Sequence, residues 1–256
     1  MINRLYFFLF FILLVSCTKD TSSINAQSSV VSSSSLLPTT NRGYLIQHSY
    51  FTLSYSETNR QAEWVAYNLT PELINGAQER TDDFKIDPKV KNNPVTSGDY
   101  SGSGYDRGHL CPAADMKLNL TSMSETFYMS NMSPQDPSFN RGIWETLESR
   151  VRTWAIEKNG IYVITGPILD NICGTIKNGT ISVPCSYYKI IFKDNGTEKI
   201  SIALILDNKG SSSSLKSFAT SIDKIESLTG INFLSGLSDD IENKLESNIN
   251  TKSWSW

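Results

Sequence analysis

The sequence predicts an α+β fold, a central antiparallel sheet flanked by helices with one long helix among them. Three observations point there. Apolar, β-branched runs recur in pairs joined by short polar turns, the mark of hairpins rather than of alternating βα units. One segment, from Asn140 to about residue 158, carries the helical period instead. Hydrophobic residues at 39% and charged residues at 19% of 256 positions supply one sizeable core in a soluble chain. That composition excludes wholesale disorder, a collagen and a polytopic membrane protein. The formal charge of −3 excludes a generally basic nucleic-acid coat, so any nucleic acid must meet a local patch. The two histidines, His48 and His109, are too few for a multi-histidine metal cage.

The first residues, MINRLYFFLFFILLVSC, read as an address. Arg4 supplies a short positive start. The apolar run over 5–15 is shorter than the roughly 20 residues a spanning helix needs. Leu14-Val15-Ser16-Cys17 resembles a bacterial lipobox. That implies a signal peptide over 1–16, a lipid on Cys17, and export to an outer membrane or cell surface. An ordinary signal peptide cut nearby, giving a secreted or periplasmic protein, is the alternative. The serine-rich stretch to residue 40 reads as a tether spanning roughly 25–30 Å. The folded domain is then expected over 41–256, a size that one core supports.

Within it, 48–56 and 63–70 read as strands joined by a polar turn, and His48 as a strand histidine hydrogen-bonded near an edge. Thr70 and Pro71 suit the N-cap and first position of a short helix. Residues 85–105 are loop-like, rich in Pro, Gly, Asn, Asp and Ser. A strand is expected over 125–135. Ile143, Leu147, Val151 and Trp154 recur at spacings of four, four and three, and Asn159-Gly160 ends that helix. Residues 161–169, 187–193 and 199–206 read as buried strands, the last two as a hairpin. A helix follows over 221–228, closed by Gly230, then a further short helix and a loose tail. The tryptophans read as core. Cys173 and Cys185 flank a turn-rich stretch, where an exported chain can form a disulfide, though spacing alone leaves the pairing open.

The segment 105–119, YDRGHLCPAADMKLN, carries the chemistry. His109 has the one side chain there suited to proton transfer near neutrality. Arg107 can offer a planar cationic fork to phosphate, Gly108 frees the backbone, and Asp106 can hold Arg107 or the loop. Downstream, SNMSPQDPSFNRGIWETLE adds Asn131 in the expected strand, Asn140 at the helix start and Glu148 two turns on. In a straight α-helix Asn140 and Glu148 lie about 12 Å apart along the axis and flank one face. That gap argues against both binding one ion directly.

DRGH, then TFYMSNMSPQ, then N-x-x-x-W-x-x-x-E resembles the DNA/RNA non-specific endonuclease family of ββα-metal nucleases. WVAYNLT, TGPIL and IESLTGINF extend the resemblance over about 43–245. It implies a ββα-metal (His-Me finger) fold whose long helix is catalytic, and an Mg²⁺-dependent, sequence-non-specific endonuclease acting on DNA and/or RNA, with Mn²⁺ able to substitute. In that family's terms His109 matches the general base and Asn140 the ligand of a single magnesium ion. Arg107 matches an arginine on the phosphate, and Asn131 an asparagine that supports the site. Glu148 matches the acidic residue acting through the ion's water, and Arg80 is the candidate for a further upstream arginine. A lone Asn ligand suits a hard ion that keeps its waters, as Mg²⁺ does. Activity is expected to fall once His109 is protonated, below about 6.5. Two other functions fit the scaffold: a surface-tethered nucleic-acid-binding protein without turnover, and a hydrolase of small phosphodiesters. The oligomeric state is not legible.

Overall fold

The computed structural model describes Met1 and residues 36–194, 196 and 198–256. Beyond Met1, the expected signal peptide, the expected lipidation site Cys17 and the expected tether up to residue 35 lie outside the described residues, as do Asn195 and Thr197 of the expected hairpin turn.

In chain order the elements are β1 (Tyr44–Gln47), β2 (Thr52–Ser56), β3 (Gln61–Leu69), α1 (Pro71–Ile74), β4 (Asp106–His109), α2 (Leu120–Glu125), β5 (Met132–Gln135), α3 (Glu145–Glu157), β6 (Ile161–Pro167), β7 (Ile172–Ile176), β8 (Ile181–Pro184), β9 (Ser186–Asp194), β10 (Lys199–Asp207), β11 (Ala219–Thr220), α4 (Ile222–Thr229) and α5 (Asp239–Ser247). Seven strands form one sheet in the order β1-β2-β3-β6-β9-β10-β11, and every neighbouring pair is antiparallel. The expected α+β architecture is therefore the one found.

Both faces of the sheet are covered, which explains why its central strands read as continuous apolar runs. Successive residues of β3 serve opposite cores: Val65 and Tyr67 face one, Trp64 and Ala66 the other. The first core takes Trp144, Leu147, Val151 and Trp154 from the long helical segment. The second takes Ile222 and Ile225 of α4 and Leu245 of α5. Helix ends follow their chemistry. The Thr70 side chain accepts from Leu73 N–H ahead of Pro71, the Ser221 side chain accepts from Lys224 N–H, and Gly230 closes α4 at φ 66°.

Several expectations shift. The 48–56 strand begins only at Thr52, so His48 lies in the β1–β2 turn. There it is buried, its Nε2 3.0 Å from Asp87 Oδ2 and its ring stacked on Tyr128. The 125–135 strand is confined to β5; before it come the end of α2 and a 3₁₀ turn over Met129–Asn131. Residues just before Asn41 also touch the domain: Leu36 and Leu37 pack on the second core and the Thr39 carbonyl accepts from Trp64 Nε1. Cys173 and Cys185 are bonded, their Cα atoms 4.9 Å apart, across the β7–β8 hairpin, and Cys111 is a free buried thiol.

The C-terminal tail is not loose. Trp254 is 4% exposed against Trp154, with ring centroids 5.1 Å apart, and the Ser255 carbonyl accepts from Trp154 Nε1. Truncating Trp254 to alanine removes that packing and should cost about 3–5 kcal/mol. Urea unfolding will show it as a lower midpoint at unchanged slope.

Candidate active site

Two short strands and a helix build the site. β4 and β5 form a separate ribbon with Asp106 opposite Gln135 and His109 opposite Met132. Glycine at position 108 makes room for the Gln135 side chain across the ribbon: a Cβ there would sit 2.1 Å from Gln135 Cδ. The chain then runs from β5 through a π-helical turn, Phe139–Trp144, into α3.

Just beyond His109 the backbone is pinned by Asn131. Its Oδ1 accepts from Cys111 N–H at 2.9 Å, and its Nδ2 donates to the carbonyls of Cys111 (2.9 Å) and Thr126 (2.8 Å). Asn131 is fully buried, sits in the 3₁₀ turn rather than in a strand, and does not line the cleft. What departs from expectation is only its element: Asn131 holds the segment that follows the histidine from a turn and not from a strand.

The His109 ring is half-buried with Nε2 shut from solvent and without a hydrogen-bond partner. Phe127 meets it edge-on at 5.0 Å and Phe84 lies 5.8 Å away. The same two rings each carry a guanidinium, Arg80 at 4.8 Å over Phe127 and Arg107 at 4.0 Å over Phe84. Arg107 is also held by Ser97. Burial first, then the Arg80 and Arg107 charges, pull the His109 pKa down to about 3, so the imidazole is neutral at physiological pH.

Asp106, at the other end of β4 and expected to hold Arg107 or the loop, instead finds its hydrogen-bond partners at the entry to the long helix. It accepts from Asn140 Nδ2 at 2.8 Å and from Arg141 Nε and Nη2 at 2.8 and 2.5 Å. With its amide nitrogen committed, Asn140 keeps Oδ1 for another partner. The straight-helix spacing of Asn140 and Glu148 does not apply either. Gly142, at φ −123° and ψ −108°, breaks the helical path, and regular α geometry begins at Glu145.

A cleft of about 270 Å³ brings Arg80, Arg107, His109, Asn140 and Glu148 together. Glu145, Arg141 and Arg152 line it as well. Burial pushes the Glu148 carboxyl up to about 7; Lys189 and Arg152 oppose the rise, while Asp115 and Glu145 add to it. Arg152 is anchored on buried Asp115 at 3.0 Å, which in turn accepts from Tyr67 OH at 2.8 Å. Sequence reasoning missed Arg141 and Arg152. The i, i+4 spacing of Glu148 and Arg152 was the available signal for the second; nothing local marked the first.

Comparison with known proteins bears on the family and the fold. The model of the DNA/RNA non-specific endonuclease family matches residues 32–240. A nuclease of Nostoc sp. is 34% identical over 218 residues, covering 80% of this chain and 78% of that protein. The nuclease of Serratia marcescens is 31% identical over 218 residues, covering 79% of each. A crystal structure of the EndoG/EndoGI complex superposes with a TM-score of 0.73 at 29% identity, covering 83% of this chain and 92% of that one. With the ββα frame in place around its cleft, the chain belongs to the DNA/RNA non-specific endonuclease family.

Proposed function

We propose that this nuclease is Mg²⁺-dependent, with His109 as general base and Asn140 as the protein ligand of the ion, and that it works outside the cytoplasm on a lipid anchor at Cys17. The observation that carries the catalytic part is the cleft itself. A neutral imidazole and a free amide oxygen line one cavity together with four arginines.

The donor set suits the ion. Asn140 Oδ1 is uncommitted, and the acids of the cleft, Glu145 and Glu148, also offer oxygen, which is what a hard, strongly hydrated divalent cation takes. When bound, such an ion neutralises a non-bridging phosphate oxygen and the charge developing on the leaving oxygen. The rest falls to side chains. With Nε2 shut inside, Nδ1 is the nitrogen by which His109 can take the proton of the attacking water. Arg80 and Arg107 hold the phosphate by charge-assisted hydrogen bonds. Glu148 orders water on the Asn140 side. Since water attacks, no 2′-hydroxyl is required and both DNA and RNA are admissible. Contacts to the backbone carry no sequence information. Mn²⁺ can stand in for Mg²⁺ at such a site.

Export rests on the hydrophobic leader, the Leu14-Val15-Ser16-Cys17 sequence and the Cys173–Cys185 bridge, which suits an oxidising compartment. No helix among the described residues is long and apolar enough to cross a membrane. Palmitate labelling of the expressed full chain that disappears in Cys17→Ser tests the anchor.

Plasmid nicking by the folded protein should need Mg²⁺ and stop with chelator. His109→Ala should lower kcat by about 10²–10⁴-fold while leaving the unfolding midpoint intact; near-normal cleavage by the variant would remove His109 from the role of base. Asn140→Ala should lose more activity at low Mg²⁺ than at high, and an equal loss at all concentrations would speak against ligation there.

The pH dependence has a definite sign. Protonated His109 cannot act as base, and its pKa is lowered, so the acid limb of kcat/KM should lie below 6.5 rather than at it. Removing one of the charges that lowers it, in Arg80→Ala, should move that limb back toward 6.5. A limb that stays put would show that the arginine does not act on the imidazole.

A further inference from the structure

The sheet face opposite the cleft carries a cluster of acids that phosphodiester hydrolysis does not use. Asp223 and Glu226 lie one turn apart on α4, Glu246 lies on α5, and one carboxylate oxygen of each falls within 4.8 Å of the others. Like charges at such spacing repel. Among the described residues no lysine, arginine or histidine forms an ion pair with any of them.

The three acids are not equivalent. Asp223 is exposed. Glu226 is partly buried and spends Oε1 on the backbone N–H of Phe233 at 2.8 Å, which leaves Oε2. Glu246 is 5% exposed, and its Oε1 is closed to solvent without any hydrogen-bond partner. A buried carboxylate oxygen without a donor is costly, and two further carboxylates beside it add to the cost. What the arrangement lacks is positive charge.

We propose that Asp223, Glu226 and Glu246 bind a hard divalent cation of the Ca²⁺ class, which clamps α5 onto α4. The donors are all oxygen, with no cysteine or histidine of the kind zinc prefers. Exposed Asp223 leaves the site open to the waters that complete the flexible coordination shell of Ca²⁺. The clamp holds Leu245 of α5 against the core that Ile222, Ile225 and Phe233 share. Asp223 and Glu226 lie within the match to the family, and Glu246 lies past residue 240, where that match ends. The role of the site is structural, because the sheet stands between it and the cleft.

The test is thermal unfolding of chelator-treated protein in an Asn140→Ala background, which takes the proposed catalytic ion site out of the reading. Ca²⁺ at about 10 mM should raise Tm by roughly 3–10 °C over an NaCl control of equal ionic strength. Adding Asp223→Asn, an exposed change that does not threaten folding, should remove most of that rise. Glu246→Gln should still fold and should likewise lose its response to Ca²⁺. No rise over the NaCl control, or an equal rise with and without Asp223→Asn, would overturn the proposal. The same holds if the Ca²⁺ response survives in Glu246→Gln, since the buried oxygen would then not be a ligand.

Discussion

One carboxylate sets the geometry of the cleft. Asp106 opens the strand that ends in His109, and its oxygens accept from Asn140 and Arg141 at the entry to the long helix. A two-stranded ribbon and a helix joined by a short connection can slide against each other. This bridge locks them, and it also decides which end of the Asn140 amide is free. Burial alone would raise the Asp106 pKa, but the Arg141 and Asn140 hydrogen bonds outweigh it and hold the carboxyl below its ordinary value. The bridge therefore stays charged across the working pH range.

Around that frame, one physical effect acts in opposite directions on a carboxyl and an imidazole. Desolvation penalises charge, so it lowers the imidazole and raises the carboxyl: His109 falls to about 3 and Glu148 rises to about 7. Phe84 and Phe127 allow this without stranding the cations. Each ring touches the imidazole on one side and carries a guanidinium on its face, where a cation–π contact contributes about 0.5–1 kcal/mol. Two arginines are thereby kept next to the imidazole without a salt bridge to it. In a chain of net charge −3, these arginines concentrate positive charge locally and not through a global field.

How much of this was legible depended on the kind of signal. The strands β3, β6, β9 and β10 announced themselves because both their faces are buried, and α3 did so through its spacing of Ile143, Leu147, Val151 and Trp154. His109, Arg107, Arg80, Asn140 and Glu148 could be picked from motif and residue chemistry, and one cavity holds all five. What stayed hidden was tertiary. Nothing in DRGH says that its aspartate reaches 34 residues ahead to an asparagine amide. The π-helical turn is another such case, for Asn140 to Trp144 carry ordinary helical spacing and only the backbone at Gly142 departs from it. Asn131 could be named as a supporting residue, but not how it supports: its three hydrogen bonds all go to backbone. The tail misled for a similar reason: Trp254 and Trp256 sit among polar residues and find their apolar partner, Trp154, a hundred positions earlier.

The most direct measurement is the affinity of Mn²⁺, followed by electron paramagnetic resonance as free ion disappears on titration with folded protein. If Asp106 orients the amide that holds the ion, Asp106→Ala should weaken cleft binding by about 10–100-fold, with His109 and the sheet undisturbed. An Asp106→Ala protein that binds Mn²⁺ in the cleft as tightly as the parent would contradict the account.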